Sequence, residues 1–300
     1  MRILLVGQSG QVAHELERSL ACLGDVISRS RRSQPALDLL NPESIASEVW
    51  TIQPDLIVNA AAYTQVDRAE SEADAAFTIN AHAVEALAYA CREQKIPLVH
   101  YSTDYVFDGK SETPYRETDP TGPNGIYAQS KFQGEEAIRG SGISHLILRT
   151  AWVYGLHGQN FLNTMLKLMS ERESLGIVND QFGAPTWSRM IAEATSLMIS
   201  SALNEGRVDL GGRAGTYHLT SQGTTTWFGF AEKIRSLGIQ RGYLPSKVAS
   251  LRAITTEEYP TPARRPAYSV LDNQHLLEAF GLSLPFWEQA LDLCLEAKPS

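Results

Sequence analysis

The sequence predicts an α/β protein: a doubly wound parallel sheet of the dinucleotide-binding (Rossmann) type, followed by a smaller α/β lobe. Three observations predict it. Short apolar runs alternate with longer amphipathic segments through the first half, a glycine-rich turn follows the first run directly, and 300 residues is about twice a common single domain. The expected division is residues 1–150 for the nucleotide-binding lobe, with later segments returning to it, and 151–300 mainly for a substrate lobe.

The elements follow in order. Arg2 to Val6 (RILLV) is an uninterrupted apolar run, as a strand buried on both faces requires. Gln11 to Cys22 is an amphipathic helix and Asp25 to Ser28 a second strand. Pro42 to Ile52 reads as a helix, with Asn41 at the N-cap and proline in the first turn. Leu56 to Val58 is a third strand, Asn80 to Glu93 a long helix, Leu98 to Tyr101 a fourth strand, Tyr127 to Ile138 a helix and Leu146 to Leu148 a fifth strand. Strands alternating with helices require a parallel sheet covered on both faces. Beyond residue 150 the rhythm changes: helices over Phe161 to Glu171 and Ser188 to Ala202, short strands at Gly176 to Val178 and Tyr217 to Leu219, and a glycine-rich connection from Glu205 to Gly215. The last third carries PTPARRP and LPFW. No internal repeat or low-complexity tract is present.

Composition narrows the function. With 43% hydrophobic and 20% charged residues the chain can build a core, which excludes intrinsic disorder. Lys+Arg 26 against Asp+Glu 34 gives a net charge of −8, the wrong balance for gripping a nucleic-acid backbone. Cys22, Cys91 and Cys294 are far apart without metal-ligand spacing and are expected to be free, buried thiols in a reducing compartment. Met1 to Val6 leads straight into the glycine turn, and no apolar run reaches the roughly 18 residues of a membrane span, so a cytoplasmic protein without membrane partners is expected. The seven histidines show no HxxxH or HExxH spacing, and no GxSxG elbow is present, so neither zinc hydrolysis nor hydrolase chemistry is supported.

Two constellations carry chemistry. Gly7, Gly10 and Ala13 form GxxGxxA between the first strand and first helix. There glycine permits positive φ and close approach of a pyrophosphate, and the helix N-terminus supplies free N–H groups. Ser9, Gln11 and Val12 of the same turn are expected cofactor contacts. The end of the second strand, where a ribose is read, is Ser28-Arg29-Ser30-Arg31-Arg32. Three arginines there suit a ribose 2′-phosphate and hence NADPH, with Arg29 the chief candidate and NADH an accepted alternative; the bland alternative is a solvated basic loop. Asp38 and Leu39 are placed beside the adenine. Tyr127 and Lys131 form YxxxK on one helix face. An ammonium near a phenol favours the phenolate, so Lys131 is expected to lower the Tyr127 pKa. Ser102-Thr103-Asp104 ends the fourth strand, where open parallel sheets present ligand-binding groups, and Thr103 is expected to hold a carbonyl oxygen.

With GxxGxxA, Asn59-Ala60-Ala61-Ala62, the strand-end Thr103 and YxxxK in this order, the chain resembles the extended short-chain dehydrogenase/reductase family. The strings VNAAAYTQVDRAE, HYSTDYVFDG, RTAWVYG, NDQFGAPT, GTTTW and YPTPARRP narrow the resemblance to its branch of dTDP-sugar 4-ketoreductases. The resemblance implies NADPH-dependent reduction of the C4 ketone of dTDP-4-dehydro-L-rhamnose to dTDP-L-rhamnose. Tyr127 would be the proton donor, Lys131 would also bind the nicotinamide ribose, and Ala60, Ala61 and Ala62 would contact the cofactor. It implies Asp104, Tyr105 and Trp152 for the sugar, and Asn160, Gln181 and Arg265 for the dTDP portion. Arg264 could equally serve a surface ion pair, and Trp227 reads as packing at a helix start. Some relatives pair through Mg²⁺ held by glutamates, one shortly after the GAPT string. Arg189 stands in that neighbourhood here, so no metal is expected, and a monomer or weak homodimer is, with Glu15 left a minor part. Three alternatives stay open: a nucleotide-sugar epimerase, a reductase giving the C4 epimer, and a non-catalytic regulatory subunit of the same fold.

Overall fold

The computed structural model of the protein describes residues 1–296. The central sheet has six parallel strands: β1 (Arg2–Val6), β2 (Asp25–Arg29), β3 (Leu56–Asn59), β4 (Leu98–Thr103), β5 (His145–Thr150) and β7 (Gly215–His218). Their order is β7-β5-β4-β3-β1-β2. The chain reverses direction across the sheet between β1 and β3, and ligands bind outside the strand ends at such a point.

Alternation along the strands builds two cores. Ile3 and Leu5 of β1 face one side, with Leu56, Val58, Leu146 and Leu148. Leu4 and Val6 face the other, with Ile57, Leu98 and Ile147. Helix α1 (Gln11–Leu20) contributes Leu16 and Leu20 to the first core. Helices α2 (Ile45–Ile52), α3 (Ala83–Gln94) and α4 (Ile126–Ser141) cover the second. A third core joins α5 (Phe161–Glu171), α7 (Trp227–Gln240) and α8 (Trp287–Glu296) through Leu162, Phe230 and Leu291. Beside it, β6 (Ser174–Val178) pairs in parallel with β8 (Ser250–Ile254).

Helix α6 (Ser188–Ser201) brings Ile191, Met198 and Ile199 to the first core, so the chain returns to the central sheet well past residue 150. The strand expected at Tyr217 to Leu219 is β7, the sheet's edge strand beside β5. The helix expected from Pro42 begins instead as a 3₁₀ turn, Pro42–Ser44. Asn41 makes no side-chain cap there; its carbonyl oxygen accepts from the Ser44 N–H and hydroxyl. A π-helical turn, Thr78–His82, precedes α3, because the Asn80 side chain is drawn to the Tyr63 backbone and the Ser130 hydroxyl. Cys91 and Cys294 are buried, but Cys22 is exposed, since α1 ends at Leu20 and the thiol falls in the following turn.

Candidate active site

The strand ends open onto a cleft of about 540 Å³. Its walls are Ser9 to Val12 of the glycine turn, Ala60 and Ala62 after β3, Ser102 to Tyr105 at the end of β4, Tyr127 and Lys131 of α4, and Thr150 to Val153 after β5. Gly7 holds φ +112°, and a Cβ there would sit 3.2 Å from the Ala61 nitrogen. Gly10 caps α1, and a Cβ there would meet no protein atom within 4 Å. The first turn of α1 carries no acidic residue. Unpaired N–H groups, a positive helix end and open space at Gly10 fit a pyrophosphate. Gly7 acts by shaping the turn rather than lining the cleft.

Tyr127 is half-buried, its ring edge-on to Tyr105 at 5.8 Å. Burial pushes its hydroxyl up to about 12; Thr103 pulls it down and the Asp104 charge adds to the rise. The net shift is upward, so burial outweighs any lowering by Lys131. Lys131 is 2% exposed, and its Nζ donates to the Tyr101 carbonyl oxygen at 2.6 Å and meets His100 Nε2 at 3.2 Å. Burial lowers the Lys131 amine to about 8, with Glu135 opposing. Glu135 is itself held by Arg149 in a buried ion pair at 2.7 Å. Thr103 donates to Asp104 Oδ1 at 3.0 Å and accepts from the Tyr105 N–H at 3.2 Å. Asp104 is 3% exposed, and burial pushes its carboxyl up to about 6, against hydrogen bonds from the Ser269 and Thr103 hydroxyls that pull it down.

The remaining expected residues separate by position. Trp152 lines the cleft in a left-handed conformation, φ +48°, which costs a tryptophan about 1 kcal/mol. It stacks flat on Trp227, ring centroids 3.6 Å apart, and Trp227 also lines the cleft rather than only packing. Gln181 is buried behind this pair: its Oε1 accepts from the Trp227 indole and its Nε2 donates to Thr256, so its amide is committed to positioning Trp227. Asn160 lines the cleft but is also structural, capping α5 through Asn163 N–H and donating to Gln11 Oε1 at 2.8 Å. Arg29 lies outside the cleft wall, half-buried at the end of β2, with its Nε unpartnered among the described residues. That orphaned donor fits an added phosphate. Asp38 caps the Leu40 N–H and Leu39 packs in the second core, so neither reaches the cleft wall, and nor does Ala61.

A second cleft of about 780 Å³ shares the Tyr105 wall and is lined by Lys110, Phe182, Arg264, Arg265 and Tyr268, among others. Arg265 is bound bidentately by Asp67 at 3.0 and 2.7 Å. The exposed Arg264 makes no ion pair among the described residues, so the ion pair falls to Arg265 and the free guanidinium to Arg264. Glu15 is taken by Arg189 at 3.1 Å and Arg18 at 2.9 Å, and no acidic or histidine cluster with metal-binding geometry occurs among the described residues. No helix there is long and apolar enough to cross a membrane. Sequence reasoning missed Trp227 as a wall, Asn59 and His100 behind Lys131, and Asp67 as the partner of Arg265. All four stand in the quoted strings, but nothing local in those strings says what they touch.

The chain is similar to known proteins over nearly its whole length. A family model described as the RmlD substrate binding domain matches residues 1–299. The chain is 49% identical to a dTDP-4-dehydrorhamnose reductase of Burkholderia thailandensis over 98% of both chains. It is 47% identical to that of Escherichia coli K12 over 96% and 95% of the two chains. Among solved structures, the Clostridium acetobutylicum dTDP-4-dehydrorhamnose reductase superposes with TM-score 0.88 at 32% identity over 99% of each chain. The Bacillus anthracis reductase, solved in complex with NADP, gives 0.86 at 33% identity over 99% of each chain. The chain belongs to the dTDP-4-dehydrorhamnose reductase family, on a Rossmann-type α/β fold.

Proposed function

We propose that the protein reduces the C4 ketone of dTDP-4-dehydro-L-rhamnose to dTDP-L-rhamnose with NADPH. The observation that carries this reading is one cleft holding the glycine turn, Thr103, Tyr127 and Lys131 together at the sheet's switch point. The B. anthracis relative's NADP complex supports the cofactor.

The cofactor's pyrophosphate fits over Gly10 at the N-terminus of α1, its 2′-phosphate against Arg29, and its nicotinamide ribose against Lys131. Bound there, it supplies the hydride for C4 of the sugar. Tyr127 donates its proton to the ketone oxygen as charge develops on it. A hydroxyl with a pKa near 12 is uncharged at neutral pH, which is the state a reductive proton donor needs. Thr103, fixed by Asp104 and the Tyr105 N–H, orients that oxygen. The Trp152–Trp227 stack forms a flat apolar wall for the sugar ring and keeps water from it. Arg264 offers a free guanidinium to the diphosphate in the adjoining cleft, while Arg265 and Asp67 brace the loop that presents it.

The test is NADPH absorbance with purified protein and the dTDP-4-dehydro sugar generated in situ, the product's C4 configuration being read by NMR. NADPH loss with the rhamno configuration is expected. No loss with substrate present, or an inverted C4, would overturn the reading. An epimerase would instead interconvert nucleotide sugars without net NADPH loss.

A further inference from the structure

Behind the cleft wall, a chain of four groups, of which Asn59, His100 and Lys131 are buried, determines which partner donates at Lys131. The Ala61 main-chain N–H can only donate, and it meets Asn59 Oδ1 at 3.2 Å. This orients the Asn59 amide so that its NH₂ faces His100 Nδ1 at 3.1 Å. An amide NH₂ has no acceptor capacity, so Nδ1 is the unprotonated ring nitrogen and the ring proton sits on Nε2. Nε2 lies 3.2 Å from Lys131 Nζ. An ammonium has three donors and no lone pair, so only a neutral amine accepts from Nε2–H while donating to the Tyr101 carbonyl oxygen.

Asn59 and His100 are 0% exposed, so the pair behind Lys131 is closed to solvent, and Lys131 itself, at the cleft wall, is 2% exposed. The charged and titratable groups facing it are few. On α4, Glu135 favours the ammonium and is itself neutralised by Arg149 of β5. Tyr127, on the same face of α4, and Asp104 and the Tyr101 ring at the end of β4 line the same cleft as Lys131; His100 and the Tyr101 carbonyl of β4 contact it, and β3 contributes the uncharged Asn59. Burial lowers the proton affinity of both His100 and Lys131, in the same sense as the hydrogen-bond pattern.

We propose that Asn59 and His100 are positioning residues for Lys131: the Ala61 N–H anchors Asn59, Asn59 locks the His100 tautomer, and His100 donates to Lys131 so as to favour its neutral amine. Because Ala60 and Ala62 flank the anchor and line the cofactor cleft, the lock ties that turn to the state of Lys131. Its kinetic consequence rests on the reading of Lys131 as part of the reaction.

Two measurements test it. In ¹⁵N-histidine-labelled protein at about pH 9, above the Lys131 value, His100 is expected as a non-titrating ring protonated on Nε2. His218 and His145 serve as internal controls: each places Nδ1 on a backbone carbonyl, at Asp272 and Ile143, and is expected protonated there. A His100 ring carrying its proton on Nδ1 overturns the proposal whether or not the enzyme is active. Second, Asn59→Asp replaces a donor by an acceptor, turns the His100 tautomer over and favours the ammonium. The alkaline limb of kcat/KM is then expected to move up by about one pH unit. The added carboxylate charge would raise the limb by itself, so the shift must come with the His100 ring protonated on Nδ1 in the same variant; a limb left in place, or a shift with the proton still on Nε2, overturns the proposal. If Asn59→Asp does not fold, the tautomer measurement on the unaltered protein decides alone.

Discussion

Tyr127→Phe removes one oxygen and leaves the ring, so it separates proton donation from shape. The phenol sits at about 12, five pH units above neutrality, so essentially every molecule carries the proton to be donated. Losing a positioned general acid costs about 10²- to 10⁴-fold, or roughly 3 to 5 kcal/mol of barrier. The edge-on contact with Tyr105 at 5.8 Å survives in phenylalanine, and a lost hydroxyl contact is worth about 1 kcal/mol. The variant should therefore fold and bind NADPH with near-normal affinity, measured by quenching of the cleft tryptophans Trp152 and Trp227. In the NADPH absorbance assay at saturating substrate, kcat should fall by at least about 100-fold. A kcat close to that of the unaltered enzyme would refute Tyr127 as the donor; a collapsed NADPH affinity would refute the separation of roles.

Other expectations follow from particular groups. Burial brings the Lys131 amine down to about 8, so its charge is present below that pH and lost above it, and kcat/KM should fall as pH rises through about 8, as a pH–rate profile will show. The Cβ of Gly10→Ala would meet no protein atom within 4 Å, so its Tm should be little changed while the NADPH Kd rises by about tenfold, read by titration. Glu135→Gln strands Arg149, 2% exposed, without its counter-charge and should cost about 3–5 kcal/mol in urea unfolding. Arg264→Ala should raise KM for the dTDP sugar with little change in Tm. Arg265→Ala, which frees Asp67, should disturb the loop and lower both kcat and thermal stability.

Much of the first lobe was legible because its causes are local. Strands buried on both faces must be continuously apolar, and the glycine turn and YxxxK helix carry their geometry in the spacing of a few residues. The central strands, apart from β7 at the edge, therefore lie close to their expected limits. Elsewhere the determinants are distant. Nothing near Arg265 announces that Asp67 will take it, nor near Gln181 that Trp227 and Thr256 will use up its amide. Asn160 reads as a ligand residue until the helix it caps and Gln11 beneath it are in place. The spacing to Lys131 suggests a charge effect on the Tyr127 hydroxyl, whereas its burial, the larger influence, is set by the surrounding fold. Cys22 came out exposed because a helix end shifted by two residues turns an inward position outward.

The central claim is that one cleft delivers hydride to the sugar's C4 while Tyr127 protonates its oxygen. Transfer of label from NADPH deuterated at nicotinamide C4 tests it most directly, with the product followed by mass spectrometry and NMR. Deuterium is predicted at sugar C4 in one configuration, in step with NADPH consumption. Product carrying no deuterium at C4, or ketone persisting while NADPH is intact, would contradict it.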